Sequence, residues 1–186
     1  MTALAVIGTG YVGLTTGVCF AHLGHDVICA DIDVDKVARL DRGESPIVEE
    51  RIEELIAEGL ETGRLRFTDS PAAAVSDCEI AFLCVPTPSL PDGSVDLAFI
   101  ESAVEMIADA LPPGAVVATK STVPVGSTRV VEQTLGRHDV AVVSNPEFLR
   151  EGTAVRDFLA PDRVVIGSDD PEASVRVAAL YESLEA

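Results

Sequence analysis

Gly8-Thr9-Gly10-Tyr11-Val12-Gly13 is a GxGxxG pattern that follows a short apolar run, Ala3–Ile7, and precedes a helical segment that ends before Gly24. In a dinucleotide-binding fold the three glycines have different tasks. The first permits a tight turn, the second lets the backbone approach a pyrophosphate, and the third lets helix and strand pack closely. The N-terminus of the following helix then offers free N–H groups to the phosphates.

An acidic residue, Asp31, stands directly after the second apolar run, Asp26–Ala30. A carboxylate at this position accepts hydrogen bonds from the hydroxyls of the adenosine ribose and repels a 2′-phosphate, which favours NAD over NADP. Strand, glycine turn, helix and acidic residue together predict NAD binding, with Gly8, Gly10, Gly13 and Asp31 at the site. The alternative explanation is a purely structural glycine turn.

Apolar runs and helical segments alternate along the whole chain. The apolar runs are continuous rather than alternating, which is typical of parallel strands covered by helices on both faces. The pattern therefore predicts a single α/β domain with a doubly wound, mostly parallel, Rossmann-like sheet. Strands are predicted at 3–7, 26–30, 65–67, 80–85, 115–119, 140–143 and 163–167, and helices at 10–23, 34–43, 48–60, 96–111, 127–135 and 171–184. In the helix at 48–60, Val48 is expected to face the core and Glu49 the solvent.

The charge balance limits the kind of partner. Against 13 Lys and Arg the 186 residues include 31 Asp and Glu, a formal net charge of −18, while 47% of the chain is hydrophobic. This composition is typical of a globular domain with a sizeable core. A diffuse negative field argues against nucleic acid or an anionic membrane as partner, since both bind Lys and Arg patches.

The N-terminal residues and the cysteines indicate a cytoplasmic protein. The N-terminus has no basic region of the secretory type, and no apolar stretch approaches the roughly 18 residues of a membrane span. None of the four cysteines forms a CxxC pair, and Cys29 and Cys84 lie in apolar runs, which indicates buried, reduced thiols. The three histidines have no carboxylate or cysteine at ligand spacing, so we expect no metal site.

Three unusual loops follow predicted strands, at the sheet edge where open parallel sheets bind their ligands. Each loop alone has an ordinary explanation, because prolines end strands and Ser or Thr caps helices. Three of them at one edge favour a functional site. The loops are Val85-Pro86-Thr87-Pro88, Lys120-Ser121-Thr122-Val123-Pro124-Val125-Gly126 and Asn145-Pro146-Glu147-Phe148-Leu149-Arg150-Glu151-Gly152.

The motifs GTGYVG, PTP, KSTVPVG, NPEFLREG and PDRVVIG, together with Asp31, resemble the UDP-glucose/GDP-mannose dehydrogenase family over essentially the whole chain. KSTVPVG and NPEFLREG are far more specific than the glycine pattern. PDRVVIG and the VPVG form of the lysine loop resemble most the branch that converts UDP-glucose to UDP-glucuronate, with GDP-mannose and UDP-N-acetyl-mannosamine as alternative substrates. Enzymes of this family oxidise the C6 alcohol of a sugar nucleotide to a carboxylate with two NAD+, through a thioester on a cysteine.

The resemblance implies a role for individual residues. Tyr11, Val12, Asp31 and Lys36 would contact the adenosine and pyrophosphate portion of NAD, and Glu151 its nicotinamide end. The expected cofactor-binding residues are Gly8, Gly10, Tyr11, Val12, Gly13, Asp31, Lys36, Thr87, Thr122 and Glu151. The expected substrate-binding residues are Glu147, Phe148, Leu149, Arg150 and Glu151. Glu147 and Thr122 are the expected catalytic residues, Glu147 as the acid/base that works on bound water during thioester hydrolysis.

Two parts of the family pattern are missing. The chain has no Gly-Gly-Ser-Cys-Phe-Pro segment for the nucleophile, and its two lysines, Lys36 and Lys120, belong to the cofactor half rather than to a central helix. We therefore expect residues 1–186 to be the N-terminal NAD-binding half of a longer, homodimeric enzyme, inactive alone, whose other half binds most of the UDP-sugar. A non-catalytic nucleotide sensor or assembly module, and a related NAD-dependent hydroxyacid dehydrogenase, remain alternatives.

Overall fold

The computed structural model describes residues 1–184, and its sheet has six strands. These are β1 (Ala3–Ile7), β2 (Asp26–Ala30), β3 (Leu65–Thr68), β4 (Ile80–Leu83), β5 (Val116–Thr119) and β6 (Ala141–Ser144). Their order is β3-β2-β1-β4-β5-β6, and every neighbouring pair is parallel. The doubly wound, Rossmann-like sheet is therefore confirmed. The order reverses between β1 and β4, so a crevice opens beyond the carboxyl ends of these two strands.

Helices cover both faces of the sheet. They are α1 (Tyr11–His22), α2 (Val34–Leu40), α3 (Ile52–Glu61), α4 (Pro71–Val75), α5 (Ala98–Ile107), α6 (Ser127–Leu135), α7 (Ala154–Leu159) and α8 (Pro171–Ala179). One core cluster contains buried residues of α1, α3, α7 and α8, and the other contains buried residues of α4, α5 and α6. Strands with apolar helices on both faces must be apolar throughout, which explains the continuous runs in the sequence. None of the helices in the described part of the chain is long and apolar enough to cross a membrane.

The elements differ from the sequence prediction at several places. α4 and α7 were not predicted, because helices this short contain too few turns to show a periodic pattern. The predicted strand at 163–167 is wrong: Gly167 forms only an isolated antiparallel bridge with Ser144. A short apolar run does not by itself distinguish a strand from an irregular segment, because the apolar side chains of either can pack into the core.

The predicted start of the third helix is also wrong. α3 begins at Ile52, because Arg51 has a left-handed backbone with φ of 66° and the helix cannot extend back through it. Val48 is consequently 97% exposed, and Glu49, which we expected in solvent, is buried. The helical pattern continued into a segment whose backbone is not helical.

Candidate functional site

The glycine turn between β1 and α1 has the geometry that the motif predicts. A Cβ atom on Gly13 would lie 1.8 Å from the carbonyl oxygen of Gly8, and one on Gly8, whose φ is +96°, would lie 2.7 Å from the carbonyl oxygen of Cys84. A Cβ on Gly10 would meet no atom within 4 Å. The first and third glycines are thus required by packing inside the protein, whereas the second borders open space.

The N-terminus of α1 faces this open space without a side-chain cap. Its N-cap is Gly10, no side chain caps it, and its first turn contains no acidic residue. The cavity in front of it has a volume of about 480 Å³. Unsatisfied N–H groups and the positive end of the helix dipole make this end of α1 a suitable site for a pyrophosphate.

Asp31 lines the same cavity and accepts several hydrogen bonds from the chain around it. Its Oδ2 accepts hydrogen bonds from Thr9 N at 2.9 Å, Thr9 Oγ1 at 2.7 Å and Lys36 Nζ at 2.8 Å, and its Oδ1 accepts one from Asp33 N at 3.0 Å. Burial alone would raise the pKa of Asp31, but the hydrogen bonds from Lys36, Thr9 and Asp33 outweigh it and lower the pKa. The carboxylate is therefore ionised, and Oδ1 retains acceptor capacity for a ribose hydroxyl.

An apolar wall next to Asp31 was missed by the sequence prediction. Ile32, Phe99 and Met106 line the cavity and are exposed by 72%, 50% and 40%. For two of these residues the sequence did contain a signal. Phe99 and Met106 lie on α5 but outside the apolar stripe that faces the core, on the side expected to be polar. Exposed large apolar side chains around a cavity are typical of a surface that packs against a flat ligand group such as a nucleobase.

Two of the three predicted loops also line the cavity and are hydrogen-bonded to each other. Thr87 and Thr122 both line the cavity, and Thr87 Oγ1 donates a hydrogen bond of 3.0 Å to the carbonyl oxygen of Thr122. Ser121 Oγ donates one of 2.7 Å to the carbonyl oxygen of Val85. These bonds hold the two loops together, so this part of the cavity lining is fixed before a ligand arrives.

Glu147 lies where two cavities meet. It lines the cavity of the glycine turn and also a second one of about 550 Å³, together with Phe148, Leu149 and Arg150. Its carboxylate accepts a hydrogen bond from the backbone N–H of Leu149. Glu151, in contrast, is exposed and lines neither cavity. The structure thus brings together most of the predicted residues but leaves Glu151 outside both cavities.

The floor of the second cavity contains a buried lysine that was not expected there. Lys120 is 3% exposed, and its Nζ donates to Tyr181 Oη at 3.2 Å and to Asn145 Oδ1 at 3.3 Å. Its ammonium also lies 5.8 Å from the ring centroids of Phe82 and Phe158. Neutral hydrogen-bond acceptors and aromatic rings, rather than a carboxylate, therefore stabilise its charge. Among residues 1–184, no group of His, Cys, Asp and Glu side chains is arranged to hold a metal ion.

Asp157 fixes the chain on the far side of the NPEFLREG loop. Its Oδ1 accepts a hydrogen bond of 2.7 Å from an Arg150 guanidinium nitrogen, and its Oδ2 accepts from Arg150 N, Arg150 Nε and Thr153 Oγ1 at 3.0 to 3.1 Å. The Arg150 guanidinium, opposed by desolvation and supported by Thr153, lowers the pKa of Asp157 to about 2.

The Asp157→Asn variant is expected to be less sensitive to acid than the wild type. Because the folded pKa of about 2 lies below the ordinary 3.8, this carboxylate contributes stability that is present above the ordinary value and lost as the pH falls through the folded one. The urea midpoint, followed from neutral pH to about pH 3, should fall less in Asp157→Asn. Asp162→Asn, which removes an exposed charge nearby, should keep the wild-type slope. Equal slopes for Asp157→Asn and wild type would contradict this role.

Comparison with known proteins decides the family. A model described as the UDP-glucose/GDP-mannose dehydrogenase family, NAD binding domain, matches residues 2–185. The chain belongs to this family. The resemblance seen in the motifs is thereby confirmed, and the cofactor of this family domain is NAD.

Relatives of the family domain include curated enzymes and solved structures. The UDP-glucose 6-dehydrogenase of Rhizobium meliloti is 47% identical over 93% of the chain, and that of Pseudomonas aeruginosa is 45% identical over 96%. A UDP-glucose dehydrogenase structure from Pyrobaculum islandicum superimposes on all of the chain with a TM-score of 0.94 and 41% identity. The match covers 45% of that structure. A GDP-mannose dehydrogenase structure from Pseudomonas aeruginosa superimposes on 99% of the chain with a TM-score of 0.92 and 35% identity. This match covers 45% of the GDP-mannose dehydrogenase structure. The chain spans about two fifths of the length of these curated relatives, 41% of each.

NAD fits the residues of the first cavity. Gly10 leaves open backbone where a pyrophosphate would approach, and the end of α1 is uncapped. Asp31 supplies an ionised acceptor for a ribose, and the apolar wall of Ile32, Phe99 and Met106 lies beside it. The pyrophosphate, one ribose and one base of a dinucleotide thus each have a matching group in this cavity.

Proposed function

We propose that residues 1–186 are the NAD-binding half of a nucleotide-sugar 6-dehydrogenase that converts a UDP-sugar, UDP-glucose in the first instance, to the corresponding carboxylate. The observation that carries this proposal is the position of Glu147 between two cavities. One cavity has the dinucleotide-binding groups, and the other is bounded by Phe148, Leu149 and Arg150. A cofactor in the first and a sugar in the second would meet at this carboxylate.

The residues of this chain would bind, orient and handle protons. The N-terminus of α1 would hold the pyrophosphate and Asp31 the ribose, which directs the rest of the cofactor along Thr87 and Thr122 toward Glu147. Bound NAD+ would supply the acceptor for hydride in each of the two oxidations. Glu147 would take a proton from the water that hydrolyses the thioester, the role of a general base.

The cysteine of the thioester would come from the C-terminal half. Burial raises the pKa of Cys19, Cys78 and Cys84 to about 12, and it raises that of Cys29 further. The thiolate is the nucleophile, so thiols with such pKa values are inert at neutral pH. This supports a division in which the chain provides the cofactor site and Glu147, while the C-terminal half provides the nucleophile. The complete enzyme would be homodimeric and cytoplasmic.

UDP-glucose is the proposed substrate because the two curated relatives at 47% and 45% identity are UDP-glucose 6-dehydrogenases. The GDP-mannose dehydrogenase structure superimposes almost as well, with a TM-score of 0.92. The cofactor half thus has nearly the same backbone in enzymes with different sugars, and selection among them would depend on the other half.

Turnover tests the proposal. The chain joined to the C-terminal portion of the Rhizobium meliloti relative should oxidise UDP-glucose and form two NADH per sugar, whereas the chain alone should bind NAD without turnover. GDP-mannose and UDP-N-acetyl-mannosamine, assayed in parallel, would reveal a different sugar preference. No oxidation of any nucleotide sugar by a folded fusion would favour a nucleotide sensor, and one NADH per substrate would favour a hydroxyacid dehydrogenase.

The Asp31→Asn variant is expected to bind NAD about tenfold more weakly, the factor that corresponds to about 1.4 kcal/mol. The substitution removes the negative charge that the ribose hydroxyls and Lys36 both contact, and it should also reduce discrimination against NADP. Titration calorimetry with NAD and NADP measures both effects. The control Asp35→Asn removes an exposed charge of the same region and should leave both affinities within about twofold. Unchanged NAD affinity in Asp31→Asn would show that the ribose assignment is wrong.

A further inference from the structure

Glu49 is a buried carboxylate at the junction of three segments. It lies in the loop before α3, is 9% exposed, and its Oε2 accepts a hydrogen bond from the Tyr11 hydroxyl and one of 2.8 Å from the backbone N–H of Gly152. Tyr11 is the first residue of α1 and lines the cofactor cavity, and Gly152 ends the NPEFLREG loop. A single oxygen atom therefore connects the glycine turn to the loop that contains Glu147.

The three groups form one network, which we call the Glu49 clasp: Tyr11, Glu49 and Gly152. The N–H of Gly152 lies 2.8 Å from the Tyr11 hydroxyl oxygen and 2.8 Å from Glu49 Oε2, so it is shared between both acceptors. The Tyr11 hydroxyl has one proton, and the charged carboxylate is the stronger acceptor for it. The carbonyl oxygen of Arg150 lies 3.2 Å from the same hydroxyl. This contact keeps the NPEFLREG loop close to the ring of Tyr11.

The burial of Glu49 in the clasp lowers the stability of the fold rather than raising it. Glu49 Oε1 is buried and has no hydrogen-bond partner among residues 1–184, and Arg51 pairs with Glu54 at 3.2 Å rather than with Glu49. A buried carboxylate without a cation is unfavourable. The left-handed backbone of Arg51, with φ of 66°, adds strain two residues later. Burial of a charge and backbone strain at one place are typical of functional rather than structural positions.

We propose that Glu49 is a positioning residue that holds Tyr11 and the NPEFLREG loop in one relative geometry, and that NAD affinity depends on this. The inference rests on the proposed cofactor site. Without the clasp, the ring of Tyr11 and the backbone that follows Glu147 would move independently. Both would then have to be ordered when NAD binds, which reduces the affinity.

The sign of the effect separates positioning from general electrostatics. NAD is anionic, so the loss of a nearby negative charge alone would leave its affinity unchanged or increase it. Glu49→Gln is instead expected to weaken NAD binding by about tenfold, since hydrogen bonds to a charged acceptor are about twice as strong as neutral ones. Glu50→Gln is the matched control, because Glu50 is the exposed neighbour and its substitution makes the same change of charge.

A double-mutant cycle in the 186-residue chain tests the network. Tyr11→Phe removes only the hydroxyl and should weaken NAD binding by about tenfold, and the double variant with Glu49→Gln should lose about tenfold rather than about hundredfold, since both act through one network. Calorimetry measures the dissociation constants. Additive losses, or an unchanged constant in Glu49→Gln, would overturn the proposal. If Glu49→Gln does not fold, an unchanged constant in Tyr11→Phe overturns it.

The pKa of the Tyr11 hydroxyl provides a second readout, which a general loss of packing would not change in the same way. Burial, together with the hydrogen bond and charge of Glu49, raises the pKa of Tyr11 to about 12. The chain has two tyrosines and no tryptophan, so the absorbance difference between each variant and its Tyr11→Phe counterpart isolates Tyr11. We expect a lower Tyr11 pKa in Glu49→Gln and an unchanged one in Glu50→Gln. A wild-type chain that fails to bind NAD would refute the cofactor site, whereas equal NAD binding by wild type and Glu49→Gln would refute only the clasp.

Discussion

The Gly13→Ala variant is expected to be less stable than the wild type by about 3 kcal/mol or more, because overpacking against rigid backbone has no cheap relaxation. Its Cβ would lie 1.8 Å from the carbonyl oxygen of Gly8. The clash can be relieved only if α1 moves away from β1, and these elements lie at the centre of the fold. Urea unfolding followed by circular dichroism measures the loss, and a stability equal to that of the wild type would contradict the close approach of helix and strand.

Gly10→Ala is the matched control, with the opposite expected outcome. Gly10 has an ordinary φ of −70° and its Cβ would meet no atom within 4 Å. Its stability should stay within about 1 kcal/mol of the wild type, the range of exchanges at an N-cap. NAD affinity should nevertheless fall by at least about tenfold, equivalent to about 1.4 kcal/mol, because the methyl group would occupy the approach of the pyrophosphate. Stable protein with undiminished NAD binding would place the pyrophosphate elsewhere.

The Glu147→Gln variant of the fusion with the C-terminal portion is expected to lose turnover by about 10²- to 10⁴-fold, the usual contribution of a general base. Glutamine can still accept the hydrogen bond from Leu149 N, so the loop should keep its conformation. NAD affinity should change little, since the adenosine and pyrophosphate groups are held by the glycine turn and Asp31. Steady-state kinetics and calorimetry separate the two effects.

The transient phase identifies the step that Glu147 serves. If Glu147 acts on the hydrolytic water, Glu147→Gln should still reduce up to two NAD+ per active site in a rapid burst and then stop. Glu172→Gln, an exposed substitution in α8, should keep normal turnover. Loss of the burst together with turnover would place Glu147 in the oxidation instead, and full activity would remove it from the mechanism.

The sheet and much of the site were predictable because their signals are local. The GxGxxG pattern requires a turn whose glycines meet specific atoms, and the structure has those approaches at Gly8 and Gly13. Buried parallel strands must be apolar throughout, so β1, β2 and β5 could be located within a residue or two. The carboxyl ends of such strands share one edge, which is why the loops with Thr87, Thr122 and Glu147 could be assigned to one site before their distances were known.

The parts that were missed depend on long-range contacts. Glu49 follows the charge pattern of an exposed helical face, and only the left-handed backbone of Arg51 and the arrival of Gly152 bury it. Phe99 and Met106 did carry a signal, since they are apolar on the side of α5 that faces away from the core. The strand expected at 163–167 failed for a similar reason: apolar sequence predicts burial, but the partners decide whether the backbone pairs.

The cofactor cavity is lined by residues from Ile7 to Glu147, contributed by segments that are far apart in the chain. An unfolded chain cannot present these groups together, so NAD is a ligand of the folded state alone. By mass action a ligand of this kind stabilises the fold, by about 2.7 kcal/mol when its concentration is a hundred times its dissociation constant. The population of intact domain in a cell is then a function of the NAD supply, and a shortage of cofactor would leave more of the chain open to proteases.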